Sequence, residues 1–156
     1  MKTESTVVND PMLAEVKLTY SANPQDHDYP ILDNPADVYG YLCDIWDNDK
    51  LELQEEFVVI ILNNALRVLG WSKVSSGGKT ATIVDVTMVI QIALLANAHA
   101  VVIAHNHPGG TMRPSTADIN LTNRIKKSLS LMGIALHDHL IIARDQYYSF
   151  KEHGQL

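Results

Sequence analysis

From Val86 to Ala104 the chain is almost uninterruptedly apolar, a stretch that approaches the length needed to cross a bilayer. Thr87, Gln91, Asn97 and His99 interrupt it. Two elements fit the segment better than one span: a buried helix over about 86–97, with Asp85 as its cap, then a core strand over 100–104. Both need apolar cover, which a sheet with helices on its faces supplies.

The flanking sequence provides the remaining layers. Asn34-Pro35 reads as an N-cap and a first-turn proline. Val38, Leu42, Ile45 and Trp46 recur at helical spacing, so a helix is expected over about 35–47, closed by Asp47-Asn48-Asp49. A hairpin follows, Phe57 to Leu62 pairing with Arg67 to Val74 around Asn63-Asn64. Gly77-Gly78 ends the second strand and, lacking the spacing and Lys-Ser/Thr of a phosphate-binding loop, is a plain turn. A helix over 116–132 stops at Gly133, a C′ glycine. Leu136 to Ala143 and Tyr147 to Phe150 are the last two strands, with Asp145-Gln146 between them. The expected fold class is α/β: a three-layer domain with a mixed β-sheet flanked by helices. Residues 1–33 carry Pro11, Pro24 and Pro30 among scattered Asp and Asn. They read as an N-terminal arm with one short strand, Glu15 to Tyr20, ahead of a domain over 34–156. Val16, Leu18 and Tyr20 could pair with another chain's sheet edge as readily as with their own.

Composition narrows the classes of function. A chain of 156 residues that is 46% apolar can bury a real core, and its single cysteine, Cys43, cannot form an intramolecular disulfide. Thr3, Glu4, Ser5 and Asn9 leave no apolar signal-peptide region at the start, so a reducing cytoplasm is the expected compartment. The formal net charge of −6 argues against direct nucleic-acid binding, which needs clustered cations. Arg124, Lys126 and Lys127, with Arg113 close in sequence, read as a solvated helix face. No membrane partner is expected either.

Between the core strand and the 116–132 helix runs Ala104-His105-Asn106-His107-Pro108-Gly109-Gly110-Thr111-Met112-Arg113-Pro114-Ser115-Thr116-Ala117-Asp118. Residues two apart on an extended segment point the same way, so His105 and His107 can face one ion. Pro108-Gly109-Gly110 turns the chain, and the first turn of the helix returns Asp118 to that ion. Two His and one carboxylate make a zinc ligand set with a fourth position open to water, and iron or manganese suits the same donors. Water so held has its pKa lowered from 15.7 to roughly 7, which is the chemistry of a hydrolase. Ser115-x-x-Asp118 is equally a capping box. Capping accounts for Ser115 and Asp118 and leaves the histidine pair unexplained.

His105-x-His107, seven residues, then Ser115-x-x-Asp118 resembles the JAMM/MPN metalloproteins, whose pattern also includes a Glu on an early strand. Ala104-His105-Asn106-His107-Pro108, Pro114-Ser115, Asp118, Asp138-His139 and Tyr148-Ser149-Phe150 are similar, more closely, to the bacterial RadC-type JAB-domain subfamily, from about Asn34 to Leu156. Gly109 departs from it, standing where that subfamily usually has Ser. The departure touches a loop hydrogen bond and leaves the ligands intact. Subfamily members often carry a helix-hairpin-helix segment ahead of this domain, and residues 1–33 leave no room for one.

The resemblance implies a cytidine-deaminase-like JAB/MPN fold, a metal on His105, His107 and Asp118, and cleavage of a peptide, isopeptide or other amide bond. It also implies a Glu base and a hydrogen bond from Ser115 to the oxyanion. Glu55 and Glu56 both open the Phe57 strand and must point to opposite faces. The subfamily's Glu-x-Phe pattern selects Glu55, on the face of Phe57 and Val59. Glu52 reads as a solvated charge, Asn106 as a residue that fixes its loop, and Asp138 and His139 as hydrogen-bonding groups in the core or behind the ligands. His137 and His139 could face one ion, but no third ligand accompanies them at a recognisable spacing. A non-catalytic binding or accessory module associated with DNA repair, its metal serving only to hold a loop, is the second function open to such a chain.

Overall fold

A computed structural model describes residues 29–76 and 84–156. The elements run α1 (Pro35–Ile45), β1 (Glu56–Leu62), β2 (Val68–Ser76), α2 (Val86–Leu95), β3 (Ala100–Asn106), α3 (Thr116–Leu131), β4 (Ala135–Ala143) and β5 (Gln146–Ser149). The expected arm strand at Glu15 to Tyr20 and the Gly77-Gly78 turn lie outside the described residues.

The five strands form one mixed sheet in the order β2-β1-β3-β4-β5. β1 is antiparallel to both β2 and β3, β3 is parallel to β4, and β5 returns antiparallel to β4. The parallel step needs a crossover, and α3 supplies it. Side chains alternate along a strand, so β1 and β3, buried at every position, each feed two cores. Val58, Ile60, Leu62, Val102, Ala104, Leu140 and Ile142 pack with Val38 and Leu42 of α1. Phe57, Val59, Val101 and Ile103 pack with Val89 and Ala93 of α2 and Ile125 and Leu129 of α3. Full burial of each large apolar side chain contributes about 1.5–3 kcal/mol. The result is the three-layer α/β arrangement that the alternation of elements predicts.

Local chemistry places the helix ends as the sequence suggests. The Asn34 side chain accepts from Asp37 N at 3.0 Å, Asp85 accepts from Thr87 N at 2.8 Å, and Gly133 ends α3 at φ 72°. In the hairpin loop, Asn63 Oδ1 accepts from Ala65 N and Arg67 N, and Leu66 takes the left-handed conformation at φ 56°. β2 begins one residue later than expected and runs on to Ser76. α2 is less enclosed than its composition suggests. Val86, Val89 and Ala93 are buried, while Met88, Leu94 and Leu95 are exposed, because among the described residues no layer covers that side of the helix. No helix among the described residues is long and apolar enough to cross a membrane.

Candidate metal centre

β3 brings His105 to the end of the sheet, where it pairs with Phe57 on β1 and Ile141 on β4. Its ring is buried and stacks against Phe57 at 6.3 Å between centroids. One residue later the chain leaves the sheet. Gly110 N donates to His107 O at 2.8 Å, and Gly110 adopts φ 72°, which favours a residue without a Cβ. The turn sends the chain to Ser115, the N-cap of α3, and the first turn of α3 carries Asp118 back to the histidines.

The three side chains converge. His105 Nε2 lies 3.0 Å from His107 Nε2 and 3.3 Å from Asp118 Oδ1, and His107 Nε2 lies 3.5 Å from Asp118 Oδ2. Ligand atoms at bond lengths of 2.0–2.1 Å around one tetrahedral ion stand ~3.4 Å apart, so the spacing fits a single ion. The donor chemistry fits as well. His107 Nδ1 donates to the Thr111 carbonyl at 2.6 Å, and His105 Nδ1 is engaged by His139 at 2.8 Å, which turns both Nε2 atoms to the shared point. His105, His107 and Asp118 could thus hold a metal ion.

Electrostatics agree with that geometry. Partial burial works against ionisation of Asp118, but the His105 and His107 rings beside it and the Ser115 hydroxyl outweigh it and hold the carboxyl well below its ordinary range. The Asp118 hydrogen bond raises His107 above the usual imidazole value against partial burial, with help from Thr111 and the Glu55 charge. Glu55 is half-buried, just ahead of β1.

Glu56 has a different environment. It is buried on β1, and its Oε1 accepts from Lys73 Nζ at 2.7 Å and Gln54 Nε2 at 3.0 Å. Glu56 is thus a buried carboxylate paired with Lys73 of β2. Glu52 is exposed and pairs with Arg144 at 3.2 Å. Ser115 completes the capping box: its Oγ accepts from Asp118 N at 3.1 Å, and its hydroxyl proton goes to Asp118 Oδ2 at 2.7 Å.

Asn106 is buried between the ligands in sequence but faces away from them in space. Its Oδ1 accepts from Glu56 N at 2.7 Å, and its Nδ2 donates to Leu51 O at 2.6 Å and Gln54 O at 2.8 Å. It fixes the segment that leads into β1. Asp138 and His139 split across the sheet. Asp138 accepts from Ser149 Oγ, Lys151 N and His139 N, and its carboxyl is raised by burial. His139 lies behind His105, and its pKa is pushed well below the usual imidazole value, first of all by full burial. Thr122, which the sequence alone does not single out, bonds both His139 and the Asp118 carbonyl. Its signal was positional, one helical turn after Asp118.

An α/β sheet that ends in a His-x-His turn and receives an Asp from the next helix defines a class of metal-site domain. A family model, the RadC-like JAB domain, matches residues 32–155, and the chain belongs to that family. A UPF0758 protein of Porphyromonas gingivalis is 43% identical over 104 residues, covering 66% of this chain and 46% of its own. The UPF0758 protein of Salinibacter ruber is 42% identical over 119 residues, 76% of this chain and 48% of its own. That of Rubrobacter xylanophilus is 36% identical over 141 residues, 90% of this chain and 59% of its own. The chain spans about half the length of the curated relatives it matches.

Proposed function

We propose that this chain is a metal-dependent hydrolase of amide bonds, in peptide or isopeptide linkage, with His105, His107 and Asp118 holding zinc. The observation that carries the reading is the meeting of two imidazole Nε2 atoms and an ionised carboxylate within 3.0–3.5 Å, beside a half-buried glutamate. A divalent ion at that point supplies Lewis acidity and lowers the pKa of a water molecule from 15.7 to roughly 7. Iron and manganese are compatible with the same donors.

The chain's own groups supply the rest. A Glu55 carboxylate oxygen takes the proton of the attacking water and returns it to the departing nitrogen. The Ser115 Oγ–H turns from Asp118 Oδ2 toward the negative charge that develops on the substrate carbonyl oxygen. Asn106 holds the approach segment of Glu55 through three hydrogen bonds. The formal net charge of −6 supports an amide substrate rather than a polyanion.

Metal analysis of the purified protein beside His107→Ala tests the site, with zinc expected at one per chain in the first and lost from the second. Equal zinc in both sinks the metal reading. Hydrolysis of a peptide and isopeptide panel by wild type and Glu55→Gln then tests the chemistry. Zinc uptake with no cleavage of any substrate favours a non-catalytic accessory module.

A further inference from the structure

His139 and Thr122 lie behind the ligands and contact no solvent. Their hydrogen bonds have one consistent direction. Thr122 Oγ is 2.6 Å from the Asp118 carbonyl oxygen, which can only accept, so the single hydroxyl proton is committed there. Thr122 Oγ is also 2.6 Å from His139 Nδ1 and must accept from it, so the His139 ring proton sits on Nδ1. His139 Nε2, 2.8 Å from His105 Nδ1, is then the acceptor, and His105 Nδ1 carries a proton. Packing leaves His139 no alternative place: its ring stacks on Phe150 at 4.4 Å, with Phe57 at 6.1 Å.

We infer that Thr122 and His139 form a positioning relay that fixes His105 in its Nδ1–H form and so presents the Nε2 lone pair to the metal. The relay begins on the same helix that carries Asp118, so α3 orients two of the three ligands: Asp118 directly, and His105 through two side chains. This rests on the metal-binding reading above. Ligating histidines commonly have their second nitrogen so engaged, and loss of such partners costs about 10- to 100-fold in metal affinity. His107 reaches the same state by a shorter route, through the Thr111 carbonyl.

Long-range imidazole 15N–1H spectra of the metal-stripped protein read the tautomer directly, and chelator competition reads zinc affinity. The wild type is expected to show His105 protonated on Nδ1. Thr122→Val and His139→Phe are expected to lose that signature and to bind zinc about 10- to 100-fold more weakly, while Thr122→Ser, which keeps the hydroxyl, restores both. Thr122→Val removes one polar atom at constant shape and keeps the test open where His139→Phe does not fold. Wild-type affinity in both variants, or an Nε2–H proton on His105 in the wild type, overturns the relay. Equal zinc uptake by wild type and His107→Ala removes the metal reading instead, and the spectra still decide the relay.

Discussion

Ser115 has one hydroxyl proton and two claims on it. In the structure the proton goes to Asp118 Oδ2, while the oxygen caps α3 through Asp118 N. Capping is a matter of stability and oxyanion donation a matter of rate, so one substitution separates them. Ser115→Ala is expected to lower stability by about 1 kcal/mol in urea denaturation, and to lower kcat on a cleavable substrate by about 10²–10³. Loss of stability with unchanged kcat confines Ser115 to the cap. At this scale the sequence is a good guide: the offsets among His105, His107, Ser115 and Asp118 are local, and one turn plus one helical turn suffices to bring them together. Thr122 and Lys73 escaped it because each acts across elements, on His139 of β4 and on Glu56 of β1.

Among the elements, the approach to β1 decides whether Glu55 can serve the centre. That segment, residues 51–55, has no regular structure and is held to the end of β3 by Asn106. Asn106→Ala leaves the Leu51 and Gln54 carbonyls and Glu56 N without their partner in a buried setting. Each such group costs about 1–3 kcal/mol, so a loss of at least about 3 kcal/mol is expected, measured by the urea midpoint. Hydrolysis should fall in the folded fraction as Glu55 drifts, while zinc content, which uses none of these atoms, stays. A stability change below 1 kcal/mol would show that water replaces the amide. Helices and strands were legible to within a residue or two, since capping residues and apolar spacing are read along the chain itself. The exposed side of α2 was not: a helix rich in apolar residues looks buried until its packing neighbours are known, and Met88, Leu94 and Leu95 are exposed.

At the scale of the whole molecule, the last turn of chain is tied to β4 by groups that titrate. His137 is held below the ordinary imidazole value of 6.5 by burial and by Lys151, against the opposing pull of Asp33 and Asp138. A folded chain that resists this proton competes with an unfolded chain that binds it, so the contribution is full above pH 6.5 and is lost as pH falls. His137→Gln is therefore expected to flatten the decline in stability of the metal-stripped protein between about pH 7 and 5, as followed by thermal unfolding. An unchanged slope would assign the decline to other groups. The sequence by itself determined the elements, the α/β class and the ligand offsets, because caps, periodicity and short spacings act between near neighbours. Tertiary structure decided the rest. The register of β1 on β3 sets Phe57 beside His105, the β3–β4 register and the α3 crossover bring His139 and Thr122 behind His105, and Lys73 of β2 pairs with Glu56. Those contacts depend on hydrogen-bond pairing between strands far apart in the chain, which no local pattern encodes.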